Sequence, residues 1–291
     1  MFSLTVVTSA LELGFIYALV ALALFLSFRI LNIADMTTDC AFTLGCAVSA
    51  TLAVAGHPYL ALPAAMLAGA LAGIITAALQ TKWGVPSILA GIITNTGLYT
   101  VNLAVMGFSS NVNMMKAATI FSALGARYRI IPAALITIAM AAILVLFLNT
   151  RLGLSIRATG DNPDMVRASS INTGFTITVG LALSNAMTAL SGAVLAQYQK
   201  TADINLGTGM VIIGLASLII GETILRNRAI WVKALGAVLG CILYRFIIAI
   251  ALRLDLPSEC LKLVSAMIVA VAIAMPAIQS RKKIKGGKAK C

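Results

Sequence analysis

Charge is scarce in this sequence, and acidic charge scarcer still. Asp, Glu, Lys and Arg make up 10% of the 291 residues, where soluble domains carry about 25%, and only 9 residues are acidic. With 60% hydrophobic residues and a mean hydropathy of +1.02, that scarcity excludes an ordinary soluble domain and defines a polytopic membrane protein. The one histidine, His57, sits in a tight GHPY turn, and no Cys or Ser stands beside a base and an orienting acid, so no catalytic constellation is visible. The five cysteines (Cys40, Cys46, Cys241, Cys260, Cys291) form no CxxC and no metal-like spacing. Their odd number makes no complete disulfide set; they read as small packing residues, and neither a metal nor a cofactor is expected. No GxxxxGK[ST] occurs, so the chain lacks a nucleotide site of that kind and energy must come from elsewhere. A basic leader region is also missing, and the apolar run from Leu13 to Phe28 ends in Arg29 rather than at a small-residue cleavage site; it is expected to be a retained first span.

What the chain does have is apolar runs with basic residues between them. Runs of about 20 apolar residues cross a bilayer, and shorter ones serve in broken helices. They lie near 8–28, 38–55, 59–80, 87–107, 130–149, 175–198, 209–225, 229–252 and 261–279, which predicts an all-α protein of about nine transmembrane helices, a single membrane domain over 1–280 with a basic tail at 281–291. The net charge of +12 falls between the runs and in the tail, without aromatic neighbours on a folded face, so nucleic acid is not the expected partner. The lipid bilayer is. An outside N-terminus and a cytoplasmic C-terminus place Arg29, Lys82, the segment 150–174, Arg226, Arg228, Lys233 and the tail inside, as the positive-inside bias requires.

LAGALAGIITAAL followed by GVPS echoes KALGAVLGCIL followed by LDLPS, in segments expected to run in opposite directions. This suggests an inverted repeat, spans 1–4 against 6–9, with a pathway between the halves; small residues that let helices approach closely give the same look. The nine acids stand nearly all at segment ends: Glu12, Asp35, Asp39, Asp161, Asp164, Asp203, Glu222, Asp255 and Glu259. That weakens coupling to an ion gradient, which uses buried carboxylates. Arg245, inside CILYRFIIAI, needs an interior partner or must snorkel. Within AGIITNTGLYTVN, the residues Gly91, Asn95, Tyr99 and Asn102 share one helix face. Asn95, Tyr99 and Asn102 are candidate pathway residues, as are Ser184 and Asn185 in LALSNAMTAL and Thr38 and Asp39 in the bent stretch NIADMTTDCAF. The same polar side chains would equally serve as hydrogen-bonding glue between helices.

The segment TRLGLSIRATGDNPDMVRASSINTG, 150–174, is the charged exception. Asp161 offers a cap or turn, Pro163 an early helical position, and Asn172 and Gly174 a stop. A short helix with arginines bracketing aspartates results, the surface of a docking element rather than of a merely solvated loop.

At this segment the chain resembles the permease subunits of bacterial ABC importers of the branched-chain amino acid and ribose type. The likeness runs back to LGFIYALVALAL and forward through LSNAMTALSGAVLAQY, and ILAGIITNTGLYTVNLAVMG looks closest to the tryptophan and tyrosine import permeases. The resemblance implies a protein of the bacterial cytoplasmic membrane, working as a dimer with a separate ATPase subunit and an extracytoplasmic solute-binding protein. It assigns ATPase coupling to Arg157, Asp161, Asn162, Pro163, Asp164, Arg167, Ala168, Ile171 and Asn172. Similar chains usually carry Gly where Ser170 stands, and a second glycine after Gly221 where this one has Glu222, an acid expected near the ATPase. A gradient-driven carrier and a non-transporting scaffold are the alternatives.

Overall fold

The computed structural model describes residues 4–122, 129–225 and 229–253, with Leu263 and Met267. The expected span 261–279 apart from Leu263 and Met267, the basic tail, Arg226, Arg228 and Cys260 lie outside the described residues. Ten helices follow in order among those described: α1 Leu4–Leu24 with a π-helical turn Phe25–Ile30, α2 Thr38–Val54, α3 Ala61–Thr81, α4 Ser87–Val105, α5 Ile130–Leu148, α6 Arg151–Asp161, α7 Pro163–Ala168, α8 Thr173–Gln199, α9 Met210–Ile224 and α10 Ile230–Arg253. Two three-residue strands, β1 Asn111–Asn113 and β2 Thr201–Asp203, pair antiparallel with Val112 opposite Ala202. Among the described residues six helices are long and apolar enough to cross a membrane: α1 with its π turn, α3, α4, α5, α8 and α10. The expected spans at 38–55 and 209–225 are the shorter α2 and α9, of 17 and 15 residues.

The core is arranged around α8, whose residues from Ser184 to Gln197 are all buried. Its alanines and glycines allow backbones to meet. Gly69 and Gly73 of α3 lie on the carbonyls of Asn185 and Leu181, Gly45 of α2 on Ala189, and Gly192 of α8 on Phe42, each with no room for a Cβ. In a bilayer such contact is what drives helix association, because lipid offers no hydrophobic penalty to escape. Serines stitch the same seams: Ser184 Oγ donates to the Ala23 carbonyl at 2.8 Å and Ser191 Oγ to Ile16 at 2.7 Å, both in α1. By contrast, α3, α4, α5 and α10 turn outward a skin of Leu and Ile, among them Leu67, Leu71, Ile92, Leu135, Leu239 and Ile247.

Two breaks interrupt this frame. After the π turn the chain runs irregularly over 31–37 before α2 begins, and after β2 it runs irregularly over 204–209 before α9 begins. Both carry backbone in the left-handed region, at Asn32 and Gly209. The second break meets the start of α2, just beyond the first: the Gly207 N–H donates to Thr43 Oγ1 at 3.1 Å, and the Gly207 Cα lies on the Asp39 carbonyl, leaving a Cβ no space. Irregular backbone is tolerated at such a place only if its polar groups are satisfied by protein or by a cavity.

Candidate functional site: a polar cavity between two broken segments

Asp39 joins the start of α2 to the second break. It stands in the first turn of α2, and its Oδ2 and Oδ1 accept from the Gly209 and Val211 N–H groups, both at 3.0 Å. These are orphan amides at the start of α9, and a carboxylate there also answers the positive end of the helix dipole. The start of α2 is satisfied from elsewhere. Asn95 of α4 accepts from the Cys40 N–H through Oδ1 at 2.9 Å, and Asn102 donates to the Cys40 carbonyl through Nδ2 at 3.1 Å. Each such buried amide left unpaired would cost about 1–3 kcal/mol.

Between these elements lies a cavity of 330 Å³, lined by Asp39, Cys40 and Thr43 of α2, Asn95, Thr96 and Tyr99 of α4, and Ile204, Asn205, Gly207 and Thr208 of the second break. Its volume falls in the usual range for a small-molecule site, roughly 300–1,000 Å³. Tyr99 is 48% exposed at the cavity edge, whereas Asn102 is fully buried and lines no part of it. The polar stripe foreseen on α4 therefore divides: Asn95 both ties helices and faces the cavity, Tyr99 faces it, and Asn102 ties only.

The other expected pathway residues lie deeper, around a second carboxylate. Asp35, 3% exposed, accepts from the Thr37 N–H at 2.9 Å and from Asn185 Nδ2 at 2.7 Å, near the midpoint of α8. Thr38 Oγ1 donates to the Asp35 carbonyl, and Thr37 and Thr76 share a hydroxyl bond of 2.8 Å. Acids are thus not confined to segment ends. The breaks carry Asp35 and Asp39 into the interior, and Glu12 is 7% exposed, bonded by Tyr198 Oη at 2.7 Å. A hydropathy window registers a bend only as the end of a span, which is why both aspartates looked peripheral.

At one end of α8 stands the charged segment. Its short helix is α7, but the caps differ from those expected. Asp161 is the last residue of α6, a helix not foreseen because its buried face is only Gly153, Ile156 and Thr159. Asn162 caps α7, its Oδ1 accepting from Asp164 and Met165, with Pro163 in the first turn. Asn172 does not stop a helix; it starts α8, accepting from the Phe175 N–H. Apart from Val166, α7 and the residues to Asn172 are exposed, including Asp164, Arg167, Ala168 and Ile171, while Arg157 on α6 is half-buried. Asp164 and Arg167 pair loosely at 3.6 Å, and Arg167 Nε reaches Thr173 Oγ1.

Two charges outside the expected sets have partners. Glu222 pairs with the half-exposed Arg29 at 2.8 Å. The Arg245 guanidinium lies over the Tyr17 ring, 3.6 Å from its centroid, an interior cation–π contact. The cue for the latter was present in sequence, but only the packing of α10 on α1 brings the two together.

A bundle of membrane-length helices with a polar cavity where two interrupted segments meet is the architecture of a solute-translocating membrane domain. The comparisons agree: residues 6–275 match the model of a family described as "Branched-chain amino acid transport system / permease component", and the chain belongs to that family of ABC importer permeases. It is 32% identical, over 92% of its length and 90% of the relative's, to the tyrosine transport system permease protein of Clostridioides difficile (strain R20291). It is likewise 32% identical, over 93% and 97%, to an uncharacterized protein of Rickettsia prowazekii (strain Madrid E). The ribose import permease protein RbsC of Haemophilus influenzae is 23% identical over 82% of this chain and 75% of its own. No solved structure matches.

Proposed function

We propose that this chain is the membrane-spanning subunit of an ATP-driven importer and that it carries an aromatic amino acid by alternating access through the cavity between α2, α4 and the segment 204–208. The observation that carries the reading is the cavity, where a carboxylate, an amide and a phenol stand together between two broken segments. Its amino-acid character is supported by the name of the Clostridioides difficile relative. ATP is hydrolysed by a separate subunit that docks on the exposed α7, a solute-binding protein delivers from outside, and a second copy of the chain closes the open side of the cavity beside Tyr99.

The topology proposed with it has nine crossings, the last at 261–279, an outside N-terminus and a cytoplasmic tail. An inverted repeat is supported by the pattern of packing: α1 packs on α10 and α9 as α8 packs on α3 and α2. The echoing glycines support it less, since those of α3 meet α8 whereas Gly236 and Gly240 of α10 meet α9.

Reconstitution with the ATPase and binding protein of the same host tests this: tyrosine or tryptophan delivered by the binding protein should stimulate hydrolysis and enter the vesicle. Asn95→Asp should keep the acceptor for the Cys40 N–H, hence the fold, and lose uptake at least tenfold. Asn95→Leu should lose uptake and also stability, by about 1–3 kcal/mol. Normal uptake by both variants would displace the pathway from this cavity. One observation favours a gradient-driven carrier instead, the buried Asp35 with no ion-pair partner among the described residues. Uptake by the chain without any ATPase would decide for it.

A further inference from the structure

The capping of α9 does not by itself call for a charge. Asn, Ser or Thr would satisfy the same amides, and an ionisable side chain at membrane depth is costly enough to need a reason. The Asp39 oxygens accept from the Gly209 and Val211 N–H groups, and a carboxylate offers about four acceptor sites. Among the described residues no Lys or Arg forms an ion pair with it. It nevertheless lines the cavity wall. Beside it, Asn95 has its carbonyl oxygen committed to the Cys40 N–H, one residue along from Asp39, so its two amide hydrogens are the part left for the cavity. One wall thus presents an acceptor with negative charge next to a neutral donor pair, and the edge presents the Tyr99 ring.

We infer that Asp39 makes this cavity selective for solutes bearing a primary ammonium group, and that Asn95 donates to the solute's carboxylate, so that together they recognise the zwitterionic main chain of an amino acid. This rests on the cavity being the solute pathway. The side chain of the solute is left to Tyr99, where an aromatic ring would stack. The charge of Asp39 is half answered by the α9 dipole, which leaves an attraction weak enough to release the solute again.

The test uses the full chain in detergent with Cys40, Cys46, Cys241, Cys260 and Cys291 replaced by alanine and one cysteine introduced as Thr208→Cys, at an exposed position of the cavity wall. Rates of modification by 2-aminoethyl and 2-sulfonatoethyl methanethiosulfonate are compared with those of an Ala55→Cys control away from the cavity. The cation-to-anion ratio should exceed the control by about tenfold, as a unit charge within several ångströms in a medium of intermediate dielectric requires. Asp39→Asn should bring it to the control value and Asp39→Glu should keep it. Tyrosine and tyramine should slow modification, and 3-(4-hydroxyphenyl)propionate, which lacks the ammonium, should not. A ratio indifferent to Asp39, or equal slowing by all three compounds, overturns the assignment while leaving the pathway reading intact. A ratio that depends on Asp39 with slowing by none of them overturns the assignment and the pathway reading together.

Discussion

Ser170 has a φ of +61°, a conformation that costs a residue with a Cβ about 1–2 kcal/mol. A glycine there would avoid that cost and give back about 0.4–1 kcal/mol through its freer unfolded chain. Ser170→Gly should therefore raise stability by up to about 1 kcal/mol, seen as a higher unfolding midpoint in detergent. A lower midpoint would mean that the serine side chain contributes something its backbone cost conceals. This residue was legible as an anomaly, since similar loops carry glycine there, but its cause was not, because backbone dihedrals leave no mark in a single side-chain identity. The amides on α4 show the same limit. Their common face followed from the helical period, whereas the division of labour between Asn95 and Asn102 depends on where Cys40 happens to lie on a different helix.

Helices long enough to cross a bilayer were legible, because hydrophobicity over about 20 residues is a local property. Elements built on distant partners were not. The strands β1 and β2 have three residues each and meet across some ninety positions of chain, and α6 hides an amphipathic turn beneath a high density of charge. The element that most needs a partner is α7. At six residues it is too short to persist on propensity alone, and it is held by the Asn162 cap, Pro163, Val166 and the Arg167–Thr173 bond. Asp164, with a side chain 88% exposed, contributes little to that support. Asp164→Arg should accordingly shift stability by no more than about 0.5 kcal/mol, while co-purification with the ATPase subunit is lost, because like charges across an interface cost several kcal/mol. Retained co-purification would place the docking surface elsewhere.

On the scale of the whole molecule, α6 and α7 stand at one end of α8 and the β1–β2 pair at the other. On the proposed topology the first end lies in the cytoplasm and the second outside, as the positive-inside bias would have it. In intact cells a membrane-impermeant thiol reagent should label a cysteine placed at Asn113, in β1, and miss one placed at Asp161. The reverse pattern would invert the protein. The order of the spans could be read from the sequence; which helix occupies the centre could not, since α8 differs from its neighbours less in hydropathy than in the small residues that line every side of it.

The π-helical turn at Phe25–Ile30 touches three of these elements: Arg29 pairs with Glu222 of α9, Gly160 of α6 lies on the Ile30 carbonyl, and the adjoining Leu31 fills the space beside Gly180 of α8. A turn of this kind holds one residue more than its α-helical equivalent, and each residue in a helix turns the chain by about 100°. Tightening it into ordinary helix would therefore rotate everything beyond by that angle, sweeping Asp35 away from Asn185 and Asp39 away from the head of α9. The protein carries at this point a spare count in its thread, and the alignment of both aspartates depends on its being kept.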